Sequence, residues 1–365
     1  MNATAVRILH AEPGPDGSVL EGWLGAARAS NADSLRRGFI EAGVDDVEIA
    51  TGPPDDTPFG ARLRGLLRGP GAADGLGKDT GLIVLGSGAI PLARASDFRE
   101  LASVAGSGEA RALVNNRYSA DVVAVGRAEI LRGVPDLPGD NALPRWLEEI
   151  AGVRVEDLRR RARLQMDLDS PLDVLLAERG AAPPAGVEIT ALRERMIALR
   201  DLAADRRAEL LVAGRTSAGT VRWLERATAG RVRALIEERG MRAAAPPAMA
   251  ADHAGPGARP PRSVLGLLLD DRGPDALGAV VAQLSDGAVI DTRVLLAHRL
   301  GPDERRWPVP EDRFASDLLL PDRIGDRWLR SLTASALAAA VPIMLGGHSL
   351  VGPGLRLLLR RSRPR

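Results

Sequence analysis

Two acidic residues separated by one residue stand in the stretch LQMDLDSPLDVLLAERG, residues 164–180, directly before a Ser-Pro pair. The apolar residues before the pair and the helix-like run after it predict a strand, an acidic turn and a helix. Ligands of open α/β sheets bind beyond the carboxyl ends of the strands. Asp167 is therefore a candidate catalytic and metal-binding residue, and Asp169 is a second candidate metal ligand. A helix-capping role for this pair stays open, because Asp is common at N-caps.

The elements that must position this pair alternate between strand and helix in the first half of the chain. Residues 5–11, 44–52 and 80–88 predict strands, and the last of these contains a continuous apolar run typical of a buried parallel strand. Residues 31–43 carry apolar side chains at helical spacing and end on Gly43. This rhythm predicts a mainly parallel sheet with helices on both faces.

The second half of the chain predicts another α/β region. Its predicted strands include 263–271, 288–298 and 341–349. Residues 243–262 are rich in Ala, Pro and Gly and lack periodicity, which is typical of a linker or mobile loop. We therefore predict a first domain over 1–185, a connecting amphipathic helix over 186–207, and a second α/β domain over 208–365 that contains this loop.

The composition narrows the class of protein. A formal net charge of +1 provides no global field that would attract nucleic acid or an anionic membrane. The chain has no cysteine, which excludes disulfides and cysteine-based sites. No signal-peptide pattern and no uninterrupted apolar run of membrane-spanning length is visible. We therefore expect a cytoplasmic protein that binds a small molecule rather than nucleic acid or a membrane, and oligomerisation stays open.

Glycines and polar residues follow the predicted strands of the first domain, where a ligand would bind. Backbone amides near glycine suit a phosphorylated ligand, and carboxylates suit a divalent cation. Because Lys78 is the only lysine, a long cation that contacts phosphate is expected to be arginine. Turn formation explains the same glycine and asparagine residues, and we expect His10 to be satisfied within the protein. The candidate ligand-binding residues are Glu12, Gly14, Gly52, Gly86, Ser87, Gly88, Asn115, Asn116 and Arg117.

The second domain has its own polar residues near predicted strand ends. Arg215 and Ser217 precede a predicted helix, whose N-terminus could bind an anion. Ser217 is equally explained as an ordinary N-cap. His348 follows two glycines, which leave room for a ligand to approach the backbone. The candidate site residues of this domain are Arg215, Ser217, Asp270, Asp291 and His348.

Four segments of the first half resemble nucleotidyltransferases of the molybdenum-cofactor guanylyltransferase (MobA-like) type. DLDSPLDVLL resembles their signature D-[IL]-D-[ST]-P-x-D-[LV], and GLIVLGSGAIPLARASDFREL resembles their central strand, its D-x-P-L turn and the following helix. GDNALPRWLEE resembles their G-D-x-G-x-x-x-L-L segment. NNRYSADVVAV resembles the middle strand of the related 2-phospholactate guanylyltransferases. The resemblance covers residues 1–180.

The resemblance implies a Rossmann-like, GT-A-like nucleotidyltransferase domain, a three-layer sandwich, followed by a second, smaller α/β domain. It implies transfer of a nucleoside monophosphate from a nucleoside triphosphate to a phosphorylated small-molecule acceptor, with Mg²⁺ neutralising phosphate charge. Asp167 matches the second metal-binding carboxylate of the family. Asp169 would then cap the following helix, with Pro171 at its start.

The chain departs from the family at two places. The first loop of the family, L-A-A-G-x-G-x-R-M-G followed by Lys, is replaced by LHAEPGPDGSVLEGW. The central metal-binding Asp of the family stands two residues before Pro91, where this chain has Ala89. Either Glu12, Asp16 or Asp121 supplies the missing carboxylate, or the domain is non-catalytic and only binds a nucleotide or another ligand. A third alternative places an active site in the second domain.

Overall fold

The chain is an α/β protein with two sheets, one of six strands and one of four. The computed structural model describes residues 2–53, 55, 57–67, 76–77, 79–137, 139–180, 182–238 and 261–360. Lys78 and positions 243–260 of the predicted loop lie outside the described residues. Within the described ranges, no helix combines the length and the apolar character needed to cross a membrane.

The described residues group into two compact units. Unit 1 contains the residues before Ser18 together with Gly25–Leu168, and unit 2 contains Ser18–Leu24 and the described residues from Asp169 onwards. These units are groups of mutual contacts and not segments shown to fold alone. The predicted domains 1–185 and 208–365 therefore stay a prediction.

Unit 1 is built around the six-stranded sheet. Its strands are β1 (Thr4–Ala11), β2 (Asp46–Gly52), β3 (Gly81–Gly86), β4 (Arg111–Val114), β5 (Val122–Val125) and β6 (Arg154–Asp157). The helices along this part of the chain are α1 (Val19–Glu41), α2 (Phe59–Leu66), α3 (Ala95–Ala105) and α4 (Leu143–Glu149).

The six strands lie in the order β2-β1-β3-β5-β4-β6. Strand β1 pairs parallel with β2 and β3, and β4 pairs parallel with β6. Strand β5 runs antiparallel to both β3 and β4, so the sheet is mixed. The connection from Val114 to Val122 is too short for the crossover that a parallel pair requires. The predicted mainly parallel sheet is thus confirmed except at β5.

Alternate side chains of β3 enter two apolar cores, one on each face of the sheet. Leu82 and Val84 belong to the core that contains residues of α2 and α4. Ile83 and Leu85 belong to the core that contains residues of α1 and α3. Burial on both faces explains why this strand is apolar without interruption.

Unit 2 is built around the four-stranded sheet. Its strands are β7 (Glu209–Gly214), β8 (Arg231–Ile236), β9 (Gly287–Asp291) and β10 (Ile343–Gly346), in the order β10-β9-β7-β8 and all parallel. Its helices are α5 (Pro171–Ala177), α6 (Thr190–Ala204), α7 (Ala218–Ala227), α8 (Val264–Arg272), α9 (Leu277–Leu284), α10 (Thr292–Leu300), α11 (Pro310–Asp317), α12 (Arg327–Ala338), α13 (His348–Val351) and α14 (Pro353–Leu358).

One predicted strand of unit 2 is wrong, and another is correct only in its first part. Residues 263–271 form helix α8, and the Ser263 hydroxyl caps it by accepting a hydrogen bond from Gly266 N–H. The predicted strand 288–298 ends at Asp291, whose carboxylate caps helix α10. Because α10 is buried over most of its length, its apolar residues lack helical periodicity and resemble those of a buried strand.

The acidic segment also differs from its prediction. Residues Ala162–Gln165 form a 3₁₀ turn, and the only pairing beyond it in this stretch of described residues is an isolated antiparallel bridge between Ala89 and Asp167. The cap of α5 is Ser170 and not Asp169, because Ser170 Oγ accepts from Asp173 N–H. Pro171 starts the helix as predicted.

Candidate functional site

The strand order of unit 1 reverses direction between β1 and β3, which creates a topological switch point. The chain leaves the carboxyl ends of these two neighbouring strands in opposite directions. A crevice therefore forms between the loops that follow them. Strand β1 ends at Ala11 and strand β3 ends at Gly86. The switch point is therefore where a ligand of this sheet is expected.

A pocket of about 180 Å³ opens at this switch point. It brings together four predicted site residues, Gly86, Ser87, Gly88 and Asp167, and it also contains Asp121, one of the three acids named as a possible replacement carboxylate. Among the described residues, its lining is Leu9, Ala11, Arg28, Gly86, Ser87, Gly88, Ala89, Asp121, Asp140 and Asp167. We refer to it as the switch-point pocket.

The turn from Gly86 to Ala89 forms one wall of the pocket and is held by hydrogen bonds on several sides. Asn31 on α1 is buried, and its Nδ2 donates to Ser87 O at 2.8 Å and to Ala89 O at 3.0 Å. Leu168 N–H donates to Gly88 O at 3.0 Å. Among the described residues, Gly88 N–H has no acceptor. A fixed turn with an unused amide is a suitable anion contact.

Asp167 and Arg28 approach the pocket beside Gly88. A Cβ added to Gly88 would lie 2.8 Å from Asp167 Oδ1 and 3.3 Å from Arg28 Nε. The Arg28 side chain is oriented by a 2.7 Å hydrogen bond from Nε to Leu168 O. Glycine at position 88 thus leaves the space in which a carboxylate and a guanidinium approach the turn from Gly86 to Ala89.

Asp167 lies opposite Ala89, the position at which the resemblance expects the other metal-binding carboxylate. Of the three acids considered as replacements, Asp121 lines the pocket, whereas Glu12 and Asp16 are exposed in the loop after β1. Asp121 Oδ2 accepts a 2.7 Å hydrogen bond from Asn115 Nδ2. Of Glu12, Asp16 and Asp121, only Asp121 is therefore placed to replace the carboxylate that the resemblance expects at Ala89.

Asn115 has a structural part in this region. It is fully buried, its Nδ2 also donates to Leu164 O at 3.0 Å, and its Oδ1 accepts from Asp121 N–H at 2.9 Å. Asn116 Oδ1 accepts from Tyr118 N–H, which closes a local turn. Neither of these two predicted ligand-binding residues lines the switch-point pocket.

The remaining predicted residues of unit 1 lie outside the pocket lining. Arg117 forms an ion pair with Glu148. Glu12 N–H donates to Gly52 O at 3.1 Å, which continues the pairing of β1 with β2. Gly14 O accepts from Gly17 N–H in a tight turn. The structure therefore separates these residues from the four that it brings together.

Arg28 and Asp140 line the pocket but were not predicted as site residues. Helix α1 was predicted to span only 31–43, whereas it begins at Val19. Buried Leu20, Trp23 and Leu24 have helical spacing and could have revealed this. Asp140 lies in the GDNALPRWLEE segment, in a 3₁₀ turn before α4. The resemblance drew attention to that segment without assigning its acid.

His10 lies on β1 behind the pocket wall. Its Nδ1 is 3.0 Å from Ser87 Oγ, and both side chains are buried. Burial lowers the pKa of the His10 imidazole, the Glu12 carboxylate opposes this shift, and the Arg28 guanidinium adds to it. His10 is therefore satisfied within the protein as expected, but its partner is a residue of the pocket.

Unit 2 has a second switch point, between β7 and β9. There Arg215 forms a bidentate ion pair with Asp291, with Nε 2.6 Å from Oδ2 and Nη2 3.0 Å from Oδ1. Burial opposes ionisation of Asp291, but Arg215 and Arg293 hold the pKa of this carboxyl below its usual value. Two of the predicted second-domain residues are thus paired with each other.

A buried ion pair lies next to this switch point. Arg293 forms a bidentate ion pair with Asp317, whose side chain is fully buried. Asp173 is also buried, and burial together with the nearby Asp169 charge raises its pKa to about 8. The Asp173 carboxyl accepts hydrogen bonds from Ser170 Oγ and Asp169 N–H. These donated hydrogen bonds favour the carboxylate, but burial and the Asp169 charge outweigh them and favour the protonated form.

The other predicted residues of unit 2 form local contacts. Ser217 is the N-cap of α7, because its Oγ accepts from Thr220 N–H at 3.1 Å. Asp270 lies on α8, 2.9 Å from His298 Nε2. His348 Nδ1 lies 3.8 Å from Asp169 Oδ2. Both residues belong to unit 2, whereas Asp167 lines the pocket of unit 1.

No family model, curated protein or solved structure matches this chain. Within the described part of the chain, no group of three or more His, Asp or Glu side chains forms a preassembled metal site.

Proposed function

We propose that unit 1 is a divergent MobA-like nucleotidyltransferase domain with a Rossmann-like, GT-A-like fold. It would transfer a nucleoside monophosphate from a nucleoside triphosphate to a phosphorylated small-molecule acceptor. The observation that carries this proposal is the switch-point pocket, in which Asp167 lies beside a glycine turn at the carboxyl ends of β1 and β3. Such a protein would work in the cytoplasm, where nucleoside triphosphates are available.

Phosphate recognition is supported by the wall of the pocket. The turn from Gly86 to Ala89 offers the unused Gly88 N–H, and it is held in place before any ligand arrives. Arg28 supplies a guanidinium in the pocket lining. The first loop lacks the Arg and Lys of the family, so Arg28 is the cation available to replace them at this pocket.

Mg²⁺ is compatible with the chemistry of the pocket lining. Asp121, Asp140 and Asp167 contribute three carboxylates, against the single guanidinium of Arg28. A triphosphate would meet net negative charge there unless a divalent cation accompanied it. Mg²⁺ commonly binds through one or two carboxylates together with substrate phosphates, so a preassembled cluster is not required. Asp167 would hold the ion, which when bound neutralises phosphate charge and polarises the phosphoryl oxygens.

Nucleotide binding without transfer is the second candidate function. Ala89 is buried and lies opposite Asp167, where the family has its other carboxylate. A pocket with one family carboxylate could keep its ligand and lose the reaction. This alternative differs from transfer only in the fate of the triphosphate.

The deciding experiment is isothermal titration calorimetry of the full chain with ATP, CTP, GTP and UTP, each with Mg²⁺. We expect at least one of them to bind, and Asp167→Asn to weaken that binding by about tenfold or more, since a carboxylate that aids the cation is lost. Asp33→Asn is the matched control, because Asp33 is a half-exposed acid on α1. Absence of binding by all four nucleotides would overturn the proposal.

Transfer is tested by release of pyrophosphate when phosphorylated acceptors are added. Attack of an acceptor oxygen on the α-phosphorus displaces pyrophosphate, so release that depends on an acceptor indicates transfer. Binding without release from any acceptor would favour the non-catalytic candidate. Tight binding that is unaffected by Asp167→Asn would direct attention to unit 2.

A further inference from the structure

The buried side chains of His10 and Ser87 form a pair, in which Ser87 lines the switch-point pocket and His10 lies behind it. Ser87 lines the pocket, and His10 lies on β1, at the position before Ala11. The side chains are 9% and 4% exposed, and the separation of Nδ1 and Oγ, 3.0 Å, is that of a hydrogen bond. A hydroxyl has one proton, so the direction of this hydrogen bond decides what Ser87 offers to a ligand.

The backbone around Ser87 is fixed independently of this pair. Ser87 N–H donates to Leu9 O at 2.8 Å, and Ser87 O accepts from Asn31 Nδ2 at 2.8 Å. The hydroxyl is therefore the only hydrogen-bonding group of Ser87 whose orientation is undecided. His10 is the partner of this hydroxyl, and Ser87 also lines the switch-point pocket, so the second hydrogen bond of the hydroxyl is the one that a ligand in the pocket could form.

The two neutral forms of His10 give opposite results. If Nδ1 carries no proton, it accepts the Ser87 proton, and the hydroxyl presents lone pairs to the pocket. If Nδ1 carries the proton, it donates to Ser87 Oγ, and the hydroxyl proton turns towards the pocket. Only the second arrangement attracts a phosphate oxygen, which is purely an acceptor when ionised.

We propose that Ser87 donates a hydrogen bond to a phosphate oxygen of the ligand and that His10 is the positioning residue, with its proton on Nδ1, that directs the Ser87 hydroxyl. This proposal rests on the proposed function, because it specifies how the same pocket recognises phosphate. Ser87 and the neighbouring Gly88 N–H would then contact the phosphate from one turn. Such fixed donors are effective because their orientation costs nothing at the moment of binding.

The first test compares variants by calorimetry with Mg²⁺ and whichever of ATP, CTP, GTP and UTP binds the wild-type chain. Ser87→Ala should weaken binding by about ten- to a hundredfold, the usual effect of losing a hydrogen bond to a charged group. His10→Phe should cause a similar loss, because Phe cannot orient the hydroxyl. His10→Asn should restore most of the affinity, since its amide can donate from near the position of Nδ1.

The double variant His10→Phe/Ser87→Ala separates positioning from general damage. If His10 acts through Ser87, the double variant should bind no more weakly than Ser87→Ala alone. Ser34→Ala is the matched control, because Ser34 is a partly exposed serine on α1 and its hydroxyl bonds only to residues of that helix. Additive losses in the double variant would overturn the positioning role of His10.

The second test reads the His10 proton directly in the wild-type chain. Only four histidines are present, so the ¹⁵N and ¹H signals of His10 can be assigned by their absence in His10→Asn. With saturating nucleotide, the ¹⁵N shifts should show a proton on Nδ1. A proton on Nε2 alone in the bound state would overturn the proposal, whatever the affinities of the variants.

The two proposals fail in different ways. If no nucleotide binds the wild-type chain, the proposed function fails. If a nucleotide binds and Asp167→Asn weakens it while Ser87→Ala does not, the proposed function stands and the Ser87–His10 proposal is overturned.

Discussion

The two switch points of this molecule have the same topology but opposite chemistry. In unit 1 the crevice between β1 and β3 is an open pocket, with Gly88 N–H unused among the described residues and Ser87 in its wall. In unit 2 the bidentate ion pair of Arg215 with Asp291 lies at the corresponding place, between β7 and β9. The first arrangement leaves the Gly88 amide without an acceptor among the described residues, whereas the second pairs its charged groups within the protein.

This difference shows that a switch point at the carboxyl ends of parallel strands is not sufficient for a ligand site. Some of the polar groups there must also be left without partners inside the protein. Charged residues at the edge of unit 2 pair with each other at short distances, and a ligand would have to compete with those pairs. Buried ion pairs are expensive to break, although they add little net stability over an apolar equivalent. The paired charges of unit 2 therefore constrain the fold, whereas the open crevice of unit 1 is where we propose that a ligand binds.

The largest expected effect follows from breaking the buried pair of unit 2. Asp317→Ala should lower the free energy of unfolding by about 3–5 kcal/mol, because it leaves the Arg293 guanidinium buried without its partner. Urea denaturation followed by circular dichroism measures this. Arg293→Met/Asp317→Leu should recover most of the loss, since no charge then remains buried.

The control for this prediction is Glu209→Gln, which removes a partly exposed ion pair with Arg233 in the same unit. Such pairs contribute about 1 kcal/mol or less. If Asp317→Ala cost no more than Glu209→Gln, the contrast between a filled and an open switch point would lose its energetic basis.

The pH dependence of stability provides the next test. The pKa of Asp173 is raised to about 8, whereas in the unfolded chain it returns to 3.8. Between these values the unfolded chain releases a proton that the folded protein keeps, so rising pH favours unfolding. The contribution of Asp173 to stability is present below the lower value, falls by up to about 1.4 kcal/mol per pH unit, and is lost above pH 8.

Asp173→Asn should remove this slope, since an amide does not titrate. Urea midpoints of the wild type and the variant between pH 5 and pH 8.5 measure the difference, and Asp201→Asn on the exposed surface of α6 is the control. Equal slopes in the wild type and Asp173→Asn would show that Asp173 is ionised in the folded protein.

Sequence patterns predicted the parts of this fold that depend on local repetition. The strand around Leu82–Leu85 was predicted because burial on both faces makes it continuously apolar. Helix α10 was predicted as a strand for the same reason, since burial on all sides removes the helical pattern. The cap of α5 was assigned to Asp169 because Asp and Ser are both good caps, and only the backbone geometry selects Ser170.

The candidate site was predictable only in part, because its members come from distant segments. Gly86, Ser87, Gly88 and Asp167 were found from their places after a strand or in a motif. Arg28 and Asp140 join them through the packing of α1 and of the turn before α4, which no local spacing encodes. His10 was recognised as satisfied, but its partner Ser87 is 77 positions away.

A smaller effect is expected at the wall of the open pocket. In Gly88→Ala the new Cβ would meet Asp167 Oδ1 at 2.8 Å, closer than real contacts of a Cβ, so the carboxylate must shift. We expect nucleotide affinity to fall by about tenfold, which corresponds to about 1.4 kcal/mol. Gly65→Ala is the control, because no atom lies within 4 Å of a Cβ placed there. Unchanged affinity in Gly88→Ala would mean that the position of Asp167 does not matter for binding.

The smallest effect is expected at the exposed edge of unit 2. His348 lies 3.8 Å from Asp169, and their side chains are 35% and 49% exposed. Solvent screens such a pair, so His348→Asn should change the free energy of unfolding by less than about 1 kcal/mol and leave nucleotide affinity unaltered. Calorimetry and urea denaturation of the same preparation measure both quantities. A loss of affinity in His348→Asn with normal stability would reverse the comparison, because unit 2 would then contain the ligand site despite its filled switch point.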